Sequence, residues 1–310
     1  MILPSFSART SCIFIAGGSN ALGIKSTDGE VLTGNLEIKP LPNLRRTCNS
    51  SMVLHNGTIL LCGGYQNKNK CLQFDHGIWK NHSTLNKERD SHSAVTTQKA
   101  TFIFGGLNNV GNSSTTYEYL LKHSSTWHIG KTKIPNGFTN GCAIAFKSGQ
   151  EIWLIGGRNT EKRILSFNVN DHFFQELPTQ LNLKRIGSRC AFIPNTNKVM
   201  ITGGSCDYSK CLYSTEILDT KDGSATLASP LNTKRVSHGM GLITINGDGR
   251  LAVFGGEDGR NRLDSVEIFN INTKKWETTN IKLKESKRNI SFLNVKLGDI
   301  ISKFIKKDSV

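Results

Sequence analysis

Acidic residues are scarce in this chain: its 310 residues carry 24 Asp and Glu against 39 Lys and Arg, a formal net charge of +15 with histidine neutral. A surface of that sign draws polyanions in a salt-dependent way. No basic segment is interleaved with aromatic residues, so weak polyanion attraction is expected and specific nucleic-acid recognition is not. Long apolar runs are missing too. None approaches the roughly 20 residues of a membrane-spanning helix, and Met1 to Arg9 has neither the basic start nor the apolar centre of a signal peptide. No membrane span is expected, and the cytoplasm is the default compartment. The chain has no His-Glu-x-x-His, no phosphate loop and no Cys-x-x-Cys, and Gly247-Asp248-Gly249 punctuates a hairpin without a helix behind it. No metal, cofactor or catalytic residue is therefore assigned. Helical periodicity over ten or more residues is absent as well, which leaves strands.

Six times a short apolar run ends in two glycines: Gly17-Gly18, Gly63-Gly64, Gly105-Gly106, Gly156-Gly157, Gly203-Gly204 and Gly255-Gly256. The first glycines lie 46, 42, 51, 47 and 52 residues apart, a spacing of one supersecondary unit and the mark of a repeat architecture. Ahead of the doublets stand a second apolar run and a turn, as in Ser51 to Leu54 with Asn56-Gly57, or Gly241 to Ile245 with Asn246-Gly247, which reads as a hairpin. Behind them a polar loop leads to a third run and often a fourth, as in Val266 to Asn270 before Trp276. Four short strands per period form one antiparallel sheet, and six such sheets in a ring form an all-β, six-bladed propeller. Residues 1–297 are expected to be one body without a linker, followed by a short basic tail, 298–310. Asn289 to Val295 repeats the pattern of a first strand with no doublet after it, so it is expected to pair with Ser11 to Ala16 and close the ring. Met1 to Ser7 is the rival for that place.

This pattern resembles the kelch repeats, propellers of the kind also found in galactose oxidase. The resemblance runs from about Ser11 to Val295 and rests on the doublets, on Phe74-Asp75, Phe167-Asn168 and Phe269-Asn270, on Trp79, Trp127 and Trp276, and on an arginine shortly before the next blade. The first and fifth repeats depart from it, the fifth having Leu218-Asp219 and no Trp. The resemblance implies aromatic rings packed over a glycine platform. It also implies a protein partner, since many relatives are interaction scaffolds, with a propeller enzyme acting on a sugar or small metabolite, oxidase-like or mutarotase-like, as the alternative. The sequence alone does not align the copper ligands of the oxidase onto Tyr65, Tyr117, Tyr119, Tyr208 or Tyr213, and no Glu has the Asp four residues on that the iron site of related plant proteins uses.

A propeller binds through loops on one face. The candidates are Tyr65, Asn67, Asn108, Arg158, Asn159, Tyr208, Asp258 and Arg260 in the loops after the doublets, joined by Arg89, Arg185 and Arg235 at the approaches to first strands. The arginine series, written Arg46, Arg89, Arg185, Arg235 and Arg288, has two readings: bonding loop carbonyls at blade junctions, or lining the rim of the channel for an acidic ligand. Cys62 with Cys71 and Cys206 with Cys211 flank corresponding loops and are expected to lie within disulfide reach, which keeps an extracellular location open. The strand cysteines Cys48, Cys142 and Cys190 read as small buried apolar residues. The expected function is a monomeric, non-enzymatic interaction scaffold with a protein partner the residues do not identify.

Overall fold

The computed structural model describes residues 11–44, 47–146, 148–207 and 210–296; Met1 to Ser7, Arg46, Tyr208 and the tail from residue 298 lie outside them. Every regular element among the described residues is a strand. β1 (Ser11–Ala16), β2 (Gly29–Leu32) and β3 (Ile38–Leu41) begin the first blade. The second is β4 (Ser51–His55), β5 (Thr58–Cys62), β6 (Lys70–Asp75) and β7 (Ile78–Thr84). The third is β8 (Ser93–Thr96), β9 (Ala100–Phe104), β10 (Tyr117–Leu121) and β11 (Trp127–Ile129). The fourth is β12 (Cys142–Ala145), β13 (Glu151–Ile155), β14 (Ile164–Asn168) and β15 (Phe173–Glu176). β16 (Arg189–Phe192), β17 (Lys198–Thr202), β18 (Thr215–Asp219) and β19 (Ala225–Ala228) make the fifth, so its lack of a Trp does not cost it an outer strand. The sixth is β20 (Gly239–Ile245), β21 (Asp248–Phe254), β22 (Ser265–Asn270) and β23 (Lys275–Lys282), and β24 (Ser291–Lys296) returns to the first.

Each sheet is antiparallel in chain order, except that β24 supplies the missing strand beside β1. That pairing runs from Ser11 opposite Lys296 to Ala16 opposite Ser291, the closure expected from the sequence. It gives β1 hydrogen-bonded neighbours on both sides, so the ring has no open edge at the seam. The inner strands touch in the cyclic order β4, β8, β12, β16, β20, β24 and back to β4.

The turns follow from residue chemistry. Asn56 and Gly57 have φ of 48° and 70°, the left-handed values a two-residue hairpin needs between β4 and β5. Apolar side chains of neighbouring sheets fill the space between blades: Phe14, Met52, Leu61 and Phe74 pack the first junction, and Phe102, Phe104, Tyr117 and Phe167 the junction of the third and fourth blades. Trp127, Trp276, Phe167 and Phe269 are buried, with Trp79 and Tyr119 packed partly buried against the same clusters, as their pattern in the sequence implies.

Candidate functional site

The face that carries the loops after the doublets is built by two circles of hydrogen bonds, with a partial third beneath them. In the outermost, the amide of each second glycine donates to a carbonyl of the following blade: Gly18 to Thr47, Gly64 to Arg89, Gly106 to Phe138, Gly157 to Arg185, Gly204 to Arg235 and Gly256 to Lys287, all at 2.8–3.0 Å. The close approach explains the glycines. A Cβ on Gly63 would lie 2.7 Å from the Arg89 carbonyl oxygen, at a φ of 64° that other residues rarely adopt, and one on Gly105 would collide with the carbonyl of Phe138.

The residues that receive these bonds also hold their own blades from inside. Arg185 is buried and donates through Nε to Glu216 at 2.9 Å and through Nη1 to the carbonyls of Gly203 and Ser214. Glu216 in turn accepts the amides of Asn182 and Leu183. Arg89 with Glu118 and Arg235 with Glu267 repeat this at 2.8 and 2.9 Å, and Lys287 with Glu30 is the lysine version. In the other two blades Thr47 and Phe138 take the basic position, and Leu72 and Leu165 take that of the carboxylate. Acid and base are replaced together there, so no buried charge is left unpaired.

A second circle lies two residues further on. Asn49, Ser91, Asn140, Gly187, Ser237 and Asn289 all have φ between 53° and 70°. Each amide donates to the carbonyl of its counterpart in the preceding blade: Ser91 to Asn49, Asn140 to Ser91, Gly187 to Asn140, Ser237 to Gly187, Asn289 to Ser237 and Asn49 to Asn289, at 2.6–3.1 Å. Six backbone bonds thus close on themselves around the channel mouth. Beneath them Ser51, Ser93, Arg189 and Ser291 donate to the carbonyls of His92, Gly141, His238 and Ser50 in the next blade.

Outside the circles the loops are exposed. Leu22 and Ile24 of the first blade, Tyr65 of the second and Val110 of the third expose 82%, 47%, 56% and 76% of their surface. Lys25 Nζ sits 5.1 Å from the centre of the Tyr65 ring, linking the first two of these loops. Lys87, Glu88, Asn108 and Val110 line a groove at the approach to the third blade. Among the described residues, no three His, Cys, Asp or Glu side chains are grouped as a metal site.

The Kelch motif family profile matches residues 246–280, the hairpin of β20 and β21 through β23 of the sixth blade. The other five doublets repeat that blade's register in sheets of the same order. The fold is a six-bladed propeller whose sixth blade carries the kelch motif. No curated protein matches it significantly.

The kelch register corrects the arginine series. Thr47 and Lys287, rather than Arg46 and Arg288, are the counterparts of Arg89, Arg185 and Arg235. Arg46 lies outside the described residues, and Arg288 is half-exposed and paired with Glu257 at 2.8 Å. Rim exposure of Arg89, Arg185 and Arg235, one of the two expected readings, is not what the kelch blades display. All three are buried, their guanidinium donors turned onto carbonyls and carboxylates. Asn67 is also buried, and its carbonyl accepts the Lys70 amide in a tight turn.

The remaining loop residues do share the open face. Tyr65, Asn108, Arg158, Asn159 and Arg260 are exposed, and Asp258 is half-buried. Asn108 and Asp258 shape their loops by accepting backbone amides, of Val110 and Asn112 and of Arg260 and Asn261. Tyr208 falls outside the described residues. Asp90, Ser91 and His92 form no catalytic set: the Ser91 hydroxyl donates to Asp90, while the His92 ring is buried against Gly63. Burial and the Arg89 charge push the His92 pKa down to about 3, so the ring is neutral.

Cys62 and Cys71, directly opposite each other in β5 and β6, form a disulfide. The expected second pair does not form: Cys206 and Cys211 are free, because Ser205, not Cys206, is the residue bridged to Cys211, and the Cys206 thiol turns to the Lys210 carbonyl. Instead Cys142 and Cys190 are joined, linking the inner strands of adjacent kelch blades. The signal in the sequence was their separation of 48 residues, one repeat.

Proposed function

We propose that this kelch propeller is a non-enzymatic protein-interaction scaffold that meets its partner with the loops of its first three blades. Kelch propellers generally bind proteins and are mostly not enzymes. The observation that supports this reading is the exposure of Leu22, Ile24, Tyr65 and Val110 in the loops after three consecutive doublets, where their removal from the surface would leave the packed sheets intact. A few residues supply most of the energy of a protein interface, tyrosine prominent among them, so Tyr65 is the anchor and Leu22, Ile24 and Val110 extend the apolar area around it. Lys25 lies over Tyr65 and Lys87 lines a groove with Val110, while Lys68 is already paired with Glu88 at 3.4 Å, so the partner surface is mainly apolar with a few acidic neighbours. Cross-linking with a captured partner, followed by mass spectrometry, tests the assignment. Linked residues should fall within 19–25, 65–69 and 107–113; links concentrated on the hairpins between third and fourth strands would place the interface on the other face.

A further inference from the structure

Four basic side chains are fully buried at the blade junctions, and each has a carboxylate: Arg89, Arg185, Arg235 and Lys287. Arg189 departs from that rule. It opens β16 at the mouth of the channel, and no ion pair among the described residues includes it. Its Nε donates to the His238 carbonyl at 2.8 Å and its Nη1 reaches the Ser188 carbonyl at 3.5 Å. Nη2 has no acceptor among the described residues, and the guanidinium carbon lies 5.5 Å from the centre of the Phe292 ring. Burial pulls the Arg189 pKa down to about 10 with no carboxylate nearby to raise it, so the side chain is still a cation at neutral pH. Arg189 is half-buried rather than sealed, so its unpartnered Nη2 faces the recess, where a bound anion would supply the counter-charge that the other buried cations have.

The surroundings are those of a binding recess. It holds about 140 Å³ and no Asp or Glu lines it. Asn49, Asn140 and Asn289 line it with side-chain amides that enter none of the described hydrogen bonds, while their backbones are fixed in the six-membered circle. The hydroxyls of Ser51, Ser93 and Ser291 are already spent on carbonyls. What remains is one cation, three neutral amides, and a wall that includes Met52, Ala94, Ala143 and Phe292. One charge suits a monoanion, and an apolar wall suits carbon rather than a bare inorganic ion.

We propose that the channel mouth binds a small organic carboxylate, the carboxylate on Arg189 and the rest of the molecule against the Asn49, Asn140 and Asn289 amides and Phe292. This site is separate from the loop anchors and does not depend on the scaffold reading.

Lactate and acetate are suitable probes, with chloride at matched ionic strength as the control. The melting temperature of the full chain should rise with either acid and not with chloride, since a ligand of the folded state stabilises it by mass action. Arg189→Gln should abolish that rise, and Arg158→Gln, on the exposed rim, should keep it. An equal response to chloride, or a rise that persists in Arg189→Gln, would overturn the proposal. Should Arg189→Gln fail to fold, saturation transfer from the wild-type chain to the lactate methyl gives the second readout. It should be present in wild type and at least halved in Asn140→Gly, which accepts the φ of 53° and keeps the backbone N–H while losing the side-chain amide; no transfer in wild type, or transfer unchanged in Asn140→Gly, counts against the site.

Discussion

Cys142 and Cys190 join β12 to β16 across a blade junction at the channel, a covalent link between inner strands that otherwise meet only through side chains and the backbone circle above them. Closing 48 residues constrains the unfolded chain by about 4 kcal/mol in the chain-entropy description. The Cys142→Ala/Cys190→Ala variant should therefore unfold at clearly lower urea than wild type under non-reducing conditions. Peptide mapping without reductant should recover the Cys142 and Cys190 peptides as one species. Recovery of both as alkylated free thiols would remove the link.

The buried Arg185 and Glu216 pair carries the opposite expectation from a rim arginine. Arg185→Ala leaves Glu216 buried beside an empty guanidinium site, and removal of one partner from such a pair costs about 3–5 kcal/mol. Urea unfolding should show a loss of that order, with Arg158→Ala, on the exposed rim, within about 0.5 kcal/mol of wild type. An unchanged midpoint for Arg185→Ala would mean that the pair does not hold the blade.

Residues Asn289 to Val310 include β24, so their removal strips β1 of its partner and exposes Ile13, Phe14 and Ile15. The truncated chain should lose its cooperative transition in circular dichroism. Removal of Lys303 to Val310 alone should leave the transition near its original temperature.

His92 gives the fold an acid limit. Its folded pKa of about 3 lies below the unfolded value near 6.5, so between those values the unfolded chain holds more protons. Stability from this residue is complete above pH 6.5 and is lost as pH falls, by about 2 kcal/mol at pH 5. His238, buried beside Arg189 and also held well below its usual pKa by burial first, acts in the same direction. His92→Gln should flatten the acid side of the melting-temperature profile; an unaltered profile would mean that the imidazole is not kept neutral.

What the sequence disclosed and what it withheld divide along physical lines. The doublets were legible because a positive φ and a close carbonyl leave glycine no substitute, and Gly63 against Arg89 repeats around the ring. The closing strand was legible from Asn289 to Val295, which carries a first-strand pattern without a doublet. Exposure was left open: Arg185 has both a junction and a rim reading until Glu216, 31 residues later, is brought beneath it and the loop carbonyls of Gly203 and Ser214 decide for the junction. A one-residue slip in reading the repeats put Arg46 and Arg288 where Thr47 and Lys287 belong. Cys142 and Cys190 looked like separate core residues because their partnership exists only across a blade junction. Arg189 gave no signal at all, since an unpaired cation is recognised only once every neighbour is known.

The loop anchors offer the most direct measurement. Leu22→Ser/Tyr65→Ser/Val110→Ser should melt within a degree or two of wild type, as exposed substitutions do. Quantitative capture from the native source should compare it with wild type and with Phe173→Ser/Ile271→Ser, which alters exposed residues of the hairpins that third and fourth strands form. The expected result is loss of the captured partner with the triple variant and its retention with the hairpin variant. Retention by the triple variant, with loss by the hairpin variant, would contradict recognition through the loops of the first three blades.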